Sequence, residues 1–211
     1  MIVWTHPFRR ESWDRDYRNR GRRFGRAVPN LPSLPRGAVI LETGCGDGKT
    51  LFGMVNRGWE ILAIDFSAEA IRLCRSSPAL MKLCYLMADA ERLPLKGCSC
   101  DAVFLSHVIG HAPEAERELV ASESARVLKP GGLLFFRGFS TADFRSGSGT
   151  LVEPGTRIRG DGIMTHYFTG EEVRDLFADL IPVSVREETW VLRVKRERHR
   201  RAEIIAEFLK Q

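Results

Sequence analysis

The chain has 211 residues, a formal net charge of +5 and a pI near 9.1, with 44% hydrophobic and 28% charged residues. That length suits one domain with decorations, and the composition excludes a disordered or fibrous chain. No apolar run reaches the roughly eighteen residues of a membrane helix, and "MIVWTHPFRRESWDRDYRNR" lacks the apolar core of a secretory leader. A cytoplasmic protein without membrane contact is expected, as monomer or homodimer. Cys45, Cys74, Cys84, Cys98 and Cys100 are odd in number and show no Cys-x-x-Cys spacing. A disulfide framework and a zinc site are both disfavoured, and no metal is expected.

Arg9 to Arg26 holds eight arginines against Glu11, Asp14 and Asp16. Trp13, Tyr17 and Phe24 fall near helical spacing on one face, so 11–24 is expected to form a short amphipathic helix. "PNLPSLPR", residues 29–36, is a proline-rich hinge. Residues 1–36 therefore read as a basic arm with a lid helix, and 37–211 as the main domain. "KRERHRR", residues 195–201, is a second basic cluster. Two basic ends admit contact with nucleic acid, and equally a solvated basic surface.

From residue 38 strands and helices alternate. "AVILETG", "WEILAIDFS", "CYLMADA", "CDAVFLSHV" and "LLFFRGFS" read as buried strands. Helices are expected after the glycine turn to about Arg57, from Ser67 as N-cap, and from Ala112 until Pro130 and two glycines stop it. This rhythm predicts an α/β fold, a mostly parallel sheet with helices on both faces, and ligands beyond the carboxyl ends of the strands. Residues 140–168 break the rhythm and read as a long substrate-side loop. "TGEEVRDLF" is a helix with Thr169 and Glu172 as a capping box. A hairpin is expected over 181–198, turning at Glu187-Glu188. Residues 199–211 are expected to form a C-terminal helix with Ile204, Ile205, Phe208 and Leu209 as its apolar stripe.

"LETGCGDGKT" (Leu41 to Thr50) raises three possibilities. A P-loop needs glycine at position 43, where Thr43 stands, so that match fails. A dinucleotide loop needs G-x-G-x-x-G, whereas the glycines here are Gly44, Gly46 and Gly48. The third possibility fits: Glu42-x-Gly44-x-Gly46-x-Gly48 resembles motif I of the class I S-adenosylmethionine-dependent methyltransferases. The resemblance continues in order over about 38–196. Asp65 matches the acid that meets the ribose hydroxyls, with Phe66 beside it. "ADAERLPL" matches the motif that places Asp89 and Ala90 at the adenine. "CDAVFLSHVIGHA" places Ser106 and His107 at the mouth, and "VLKPGGLLFF" matches the turn into the fifth strand. Five motifs in order imply the seven-stranded sheet with an antiparallel last strand.

The resemblance implies S-adenosylmethionine as cofactor and S-adenosylhomocysteine as product. Cofactor contacts are expected from Glu42, Gly44, Cys45, Gly46, Gly48, Asp65, Phe66, Asp89, Ala90 and Ser106, with Trp13 and Tyr17 as an aromatic lid. Methyl transfer from a sulfonium chiefly requires alignment in a dry site. His107 and His111, just past the fourth strand, are the candidate bases, with packing and capping as their alternative roles. "WDRDY" and "RGDGIMTHYFTGEEVRDLF" are similar to segments of the transfer-RNA 3-methylcytidine methyltransferases, which would place Arg159, Asp161, His166, Tyr167 and Phe168 at the acceptor. The expected acceptor is an oxygen or nitrogen of a small or medium-sized molecule. Alternatives are a transfer-RNA base, or a non-catalytic RNA-binding module of the same fold. A nicotinamide oxidoreductase is disfavoured by the glycine spacing and the absence of a Tyr-x-x-x-Lys pair.

Overall fold

The computed structural model describes residues 6–22, 31–160, 162–194 and 197–211. Phe24, Asp161, Lys195 and Arg196 lie outside the described residues, as does part of the proline-rich hinge. Helix α1 (His6–Arg20) comes first, followed by β1 (Val39–Thr43) and the one-turn α2 (Leu51–Met54). Then come β2 (Glu60–Asp65), α3 (Ala68–Arg75), β3 (Cys84–Met87), β4 (Cys100–Ser106) and α4 (Glu114–Val127). The chain continues through β5 (Leu128–Phe139), β6 (Thr150–Glu153), β7 (Thr156–Ile158), β8 (Met164–His166) and α5 (Gly170–Leu176). It ends in β9 (Ile181–Val194) and β10 (Glu197–Leu209).

The main sheet has seven strands in the order β3-β2-β1-β4-β5-β10-β9. The first five run parallel, and β10 lies antiparallel between β5 and β9. This is the α/β sheet with the reversed strand that the motifs imply. The order reverses at β1, so the crevice beyond the carboxyl ends of β1 and β4 is the natural ligand site. Central strands are apolar on both faces, as sheets covered on both sides require. One core holds Leu41, Val103, Leu134, Phe136 and Phe208; the other holds Ile40, Ala63, Leu80 and Phe104.

Local signals behave as expected at two helices. Ser67 caps α3 by accepting from the Ala70 N–H, and Thr169 with Glu172 forms the capping box of α5. Four expectations are corrected. The C-terminal helix over 199–211 is instead strand β10: Ala202, Ile204, Ala206 and Phe208 are buried at a period of two. Its helical-looking stripe loses to the open edge of β5, whose hydrogen-bonding groups need a partner. Glu187-Glu188 is no turn but the middle of β9, paired with Ile204 and Glu203 of β10. The segment 140–168 is no structureless loop, because β6, β7 and β8 form a small antiparallel sheet within it. Helix α4 also ends earlier than Pro130, at Val127, and β5 follows directly.

The β9–β10 hairpin outruns its neighbour. Strand β5 pairs with Glu203–Leu209 only, while β9 accompanies β10 back to Glu197. The ribbon formed by Thr189–Val194 and Glu197–Ala202 therefore extends past the carboxyl edge of the sheet. No helix among the described residues is long and apolar enough to cross a membrane.

Candidate active site

Strand β1 ends in a left-handed turn at Gly44, φ +66°. A Cβ there would lie 2.4 Å from the Val108 side chain, so only glycine lets this loop pass beneath the segment after β4. The loop is held by Asp65 at the end of β2. Gly46 N–H donates to Asp65 Oδ2 at 2.8 Å, and Ser67 N–H donates to Oδ1 at 2.8 Å. Burial pushes the Asp65 carboxyl up to about 6, against the pull of the Ser67 and Gly46 N–H groups. Glu42 is also buried. Burial pushes its carboxyl well above the usual range despite a hydrogen bond from Thr50, and its Oε2 has no partner.

Helix α1 lies across this loop. Trp13 stacks on Tyr17 with ring centroids 5.5 Å apart, and meets His111 edge-on at 4.9 Å. The Tyr17 hydroxyl sits 2.9 Å from where a Gly46 Cβ would be. Polar groups fasten the helix: Arg9 to Glu91 at 2.8 Å, Arg18 to Glu69 at 3.4 Å, and Asp14 to the Ser67 hydroxyl. Between α1 and the strand ends lies a cavity of about 90 Å³. Trp13, Tyr17, Gly44, Asp65, Phe66, Asp89 and Ala90 line it, together with His107 and His111. Small-molecule sites generally run to about 300 Å³ or more, so the rings of α1 occupy much of this one.

The other expected cofactor residues shape the loop or face away. Glu42 and Cys45 are buried, and a Cβ at Gly48 would meet Leu80 at 2.5 Å, so these residues seat the loop on the core. Ser106 shares a face of β4 with Phe104. Both line a different cavity, of about 120 Å³, with Arg137 and Arg186. Alternation along the strand turns the Ser106 side chain away from the crevice.

The expected acceptor residues divide. His166 is buried, with Nδ1 2.6 Å from Thr156 Oγ1 and Nε2 2.6 Å from Glu172 Oε1. Arg117 donates to Glu153 at 2.6 Å in the same cluster, which ties the small sheet to α4 and α5. Phe168 is core, packed edge-on against Phe136 at 5.2 Å. Tyr167 is 2% exposed and its hydroxyl has no partner. Arg159 is half-buried. His111 Nδ1 lies 2.6 Å from the Met164 carbonyl, which the ring can cap as a donor.

Sequence reasoning missed the cluster around His107. This residue is left-handed, φ +57°, a conformation costing roughly 1–2 kcal/mol for a side chain with a Cβ. Its N–H donates to the Arg137 carbonyl at 2.8 Å. Its Nε2 lies 3.2 Å from Glu203 Oε1, its ring centroid lies 4.3 Å from that of Phe139, and its Nδ1 is buried without a partner among the described residues. Burial alone would raise the Glu203 carboxyl, but the hydrogen bond from His107 and the charges of Arg137 and Arg201 hold it below its usual range. Arg145 covers the Phe139 ring at 4.0 Å, and Asp143 bridges Arg145 and Arg201 at 2.8 and 2.6 Å. No spacing in the sequence links Glu203 to His107; the pairing of β10 with β5 does.

A methyltransferase-domain family matches residues 41–136. The tRNA N(3)-methylcytidine methyltransferase trm140 of Schizosaccharomyces pombe is 30% identical, covering 98% of this chain and 75% of that protein. The chain belongs to the class I S-adenosylmethionine-dependent methyltransferases. The tRNA N(3)-methylcytidine methyltransferase Mettl2 of Drosophila melanogaster is 32% identical over 65% of this chain. The methyltransferase spans only 46% of that relative's length. A S-adenosylmethionine-dependent methyltransferase of Methanosarcina mazei has the same fold, with a TM-score of 0.65 and 24% identity over 85% of this chain and 96% of that one.

The residues at the crevice fit that cofactor. S-adenosylmethionine is a cation with ribose hydroxyls and no phosphate. The methyltransferase offers it the buried Asp65 carboxyl and a loop where a Cβ at Gly44 would collide, both at the cavity. No cluster of three or more metal-binding side chains occurs among the described residues.

Proposed function

We propose that this methyltransferase modifies a ring nitrogen of a nucleobase in RNA, with cytidine in transfer RNA as the acceptor. The observation that carries this reading is the 30% identity to a tRNA N(3)-methylcytidine methyltransferase across 98% of this chain. It moves the balance away from the small or medium-sized acceptor that the sequence alone favoured. The surface supports it as well. Arg10, Arg15, Arg18 and Arg20 are exposed on α1, beside the crevice. The ribbon carries exposed Arg193, Arg198 and Arg200, with Trp190 40% exposed and Arg201 over its ring at 5.4 Å. Phe144 stacks on His199 at 4.5 Å. Arginines that reach phosphates, beside aromatic faces that stack on bases, suit a single-stranded segment of RNA.

The residues then divide the work. When bound, S-adenosylmethionine would supply a methyl activated by the sulfonium, with S-adenosylhomocysteine as the leaving group. Asp65 would accept from the ribose hydroxyls, Asp89 would meet the adenine amino group, and Phe66 and Ala90 would wall the ring. Glu42 would brace the glycine loop from the core side. Trp13 and Tyr17 act as the lid: they leave the cavity as the cofactor enters and return over it, excluding water. His107 and His111 face the acceptor, while Tyr167, Arg159, Arg145 and Arg201 form the wall behind it. His166 and Phe168 hold that wall from the core.

Labelled-methyl transfer tests the reading directly. Unmodified transfer RNA should take label that digests to 3-methylcytidine, while a small-molecule extract takes none. Label confined to the extract would return the acceptor to the small-molecule class.

A further inference from the structure

The His107 ring combines four features that rarely coincide by chance. Its backbone is left-handed. It lines the crevice beside Gly44 and Asp65. Its Nε2 faces a buried carboxylate, Glu203, at 3.2 Å. Its Nδ1 is buried and has no partner among the described residues. Strained backbone of this kind persists where the surroundings impose it, and it clusters at functional sites. A buried polar atom left unpaired is costly unless a ligand completes it.

A carboxylate can only accept, so Glu203 calls for a proton on Nε2. In the neutral ring that leaves Nδ1 as a lone-pair acceptor. We propose that His107 reads the acceptor base, with Nδ1 receiving a hydrogen bond from an exocyclic amino group next to the nucleophilic ring nitrogen. Glu203 is the positioning residue that fixes this polarity. The proposal rests on the nucleobase reading above and deepens it. An amino group beside the ring nitrogen is what cytosine presents; uracil presents a carbonyl, which would face the Nδ1 lone pair and be rejected. No proton needs to move, because the ring nitrogen already carries the lone pair that forms the new N–C bond.

Glu203 and Arg201 of β10, Arg137 of β5, Asp65 at the end of β2, and Trp13 and Tyr17 of α1 surround His107.

The test compares substrates as well as variants. The methylated cytidine of a transcribed transfer RNA is mapped by reverse-transcription arrest and then replaced, by ligation, with uridine or with 2-pyrimidinone, which lacks the amino group. The unaltered methyltransferase should lose about 10- to 100-fold in kcat/KM on 2-pyrimidinone, as a site built to hydrogen-bond an amino group does. His107→Ala should transfer to both bases at the same slow rate. Glu203→Gln, whose amide can offer Nε2 either an oxygen or an N–H, should narrow the preference between the two bases. Melting with S-adenosylmethionine checks that each variant is folded and binds its cofactor. Undiminished preference in His107→Ala overturns the proposal, as does undiminished preference in Glu203→Gln. Cofactor binding without label in any RNA instead removes the nucleobase reading itself, and the proposal with it.

Discussion

The two halves of the molecule around His107 are built differently. On the side of β1 and β2 the Asp65 carboxyl is buried and the backbone approaches closely through glycines. On the side of β5 and β10, Arg145 and Arg201 cover the Phe139 ring, with buried Asp143 and Glu203 as counter-charges. On the proposed reading the cationic methyl donor belongs to the first half and the RNA acceptor to the second, with His107 between them.

The largest expected effect lies in the donor half. Asp65→Ala removes the proposed ribose acceptor and the brace of the Gly46 and Ser67 N–H groups. Charged hydrogen bonds are worth about 1.5–3 kcal/mol each, so cofactor affinity should fall about 100-fold by calorimetric titration. RNA binding by Asp65→Ala, in contrast, should stay within about twofold. Equal losses for both ligands would erase the distinction between the halves.

The same carboxyl sets a pH dependence. In the free protein Asp65 is neutral below about 6. The cofactor cation and its hydroxyls favour the ionised form, so affinity should decline as pH falls through that value, by at most about tenfold per unit. A flat affinity between pH 7.5 and 5 would detach Asp65 from the cofactor. In the acceptor half, Arg198→Ala with Arg200→Ala should weaken RNA binding about tenfold. It should also reduce the salt dependence by about one to two counterions and leave cofactor titration unchanged. An unaltered salt slope would free the ribbon of any RNA contact. The smallest effect belongs to neither ligand. Thr169→Ala removes the α5 capping box and should cost about 1 kcal/mol in a denaturant melt, with cofactor affinity intact.

The donor half was legible in the sequence because local chemistry fixes it. A glycine turn after a strand, an acid closing the next strand and a capped helix each depend on neighbours in the chain. Gly44, Asp65, Phe66, Asp89 and Ala90 accordingly line one cavity. Ser106 shows the limit of that reading, because strand alternation turned its side chain to the other face.

The acceptor half depended on pairing between distant segments. Ile204, Ile205, Phe208 and Leu209 satisfy a helical stripe as well as an alternating strand, and only the unpaired edge of β5 chooses between them. That choice brings Glu203 to His107 and Arg201 to Asp143 and Phe139. It also makes a projecting ribbon out of a basic run. The sequence by itself determined the fold class, since strand periodicity and glycine turns are local signals, and its ordered motifs carried the methyltransferase chemistry by resemblance. Only the tertiary structure decided how the acceptor side is built, because hydrogen bonding across a sheet edge joins residues that no local pattern connects.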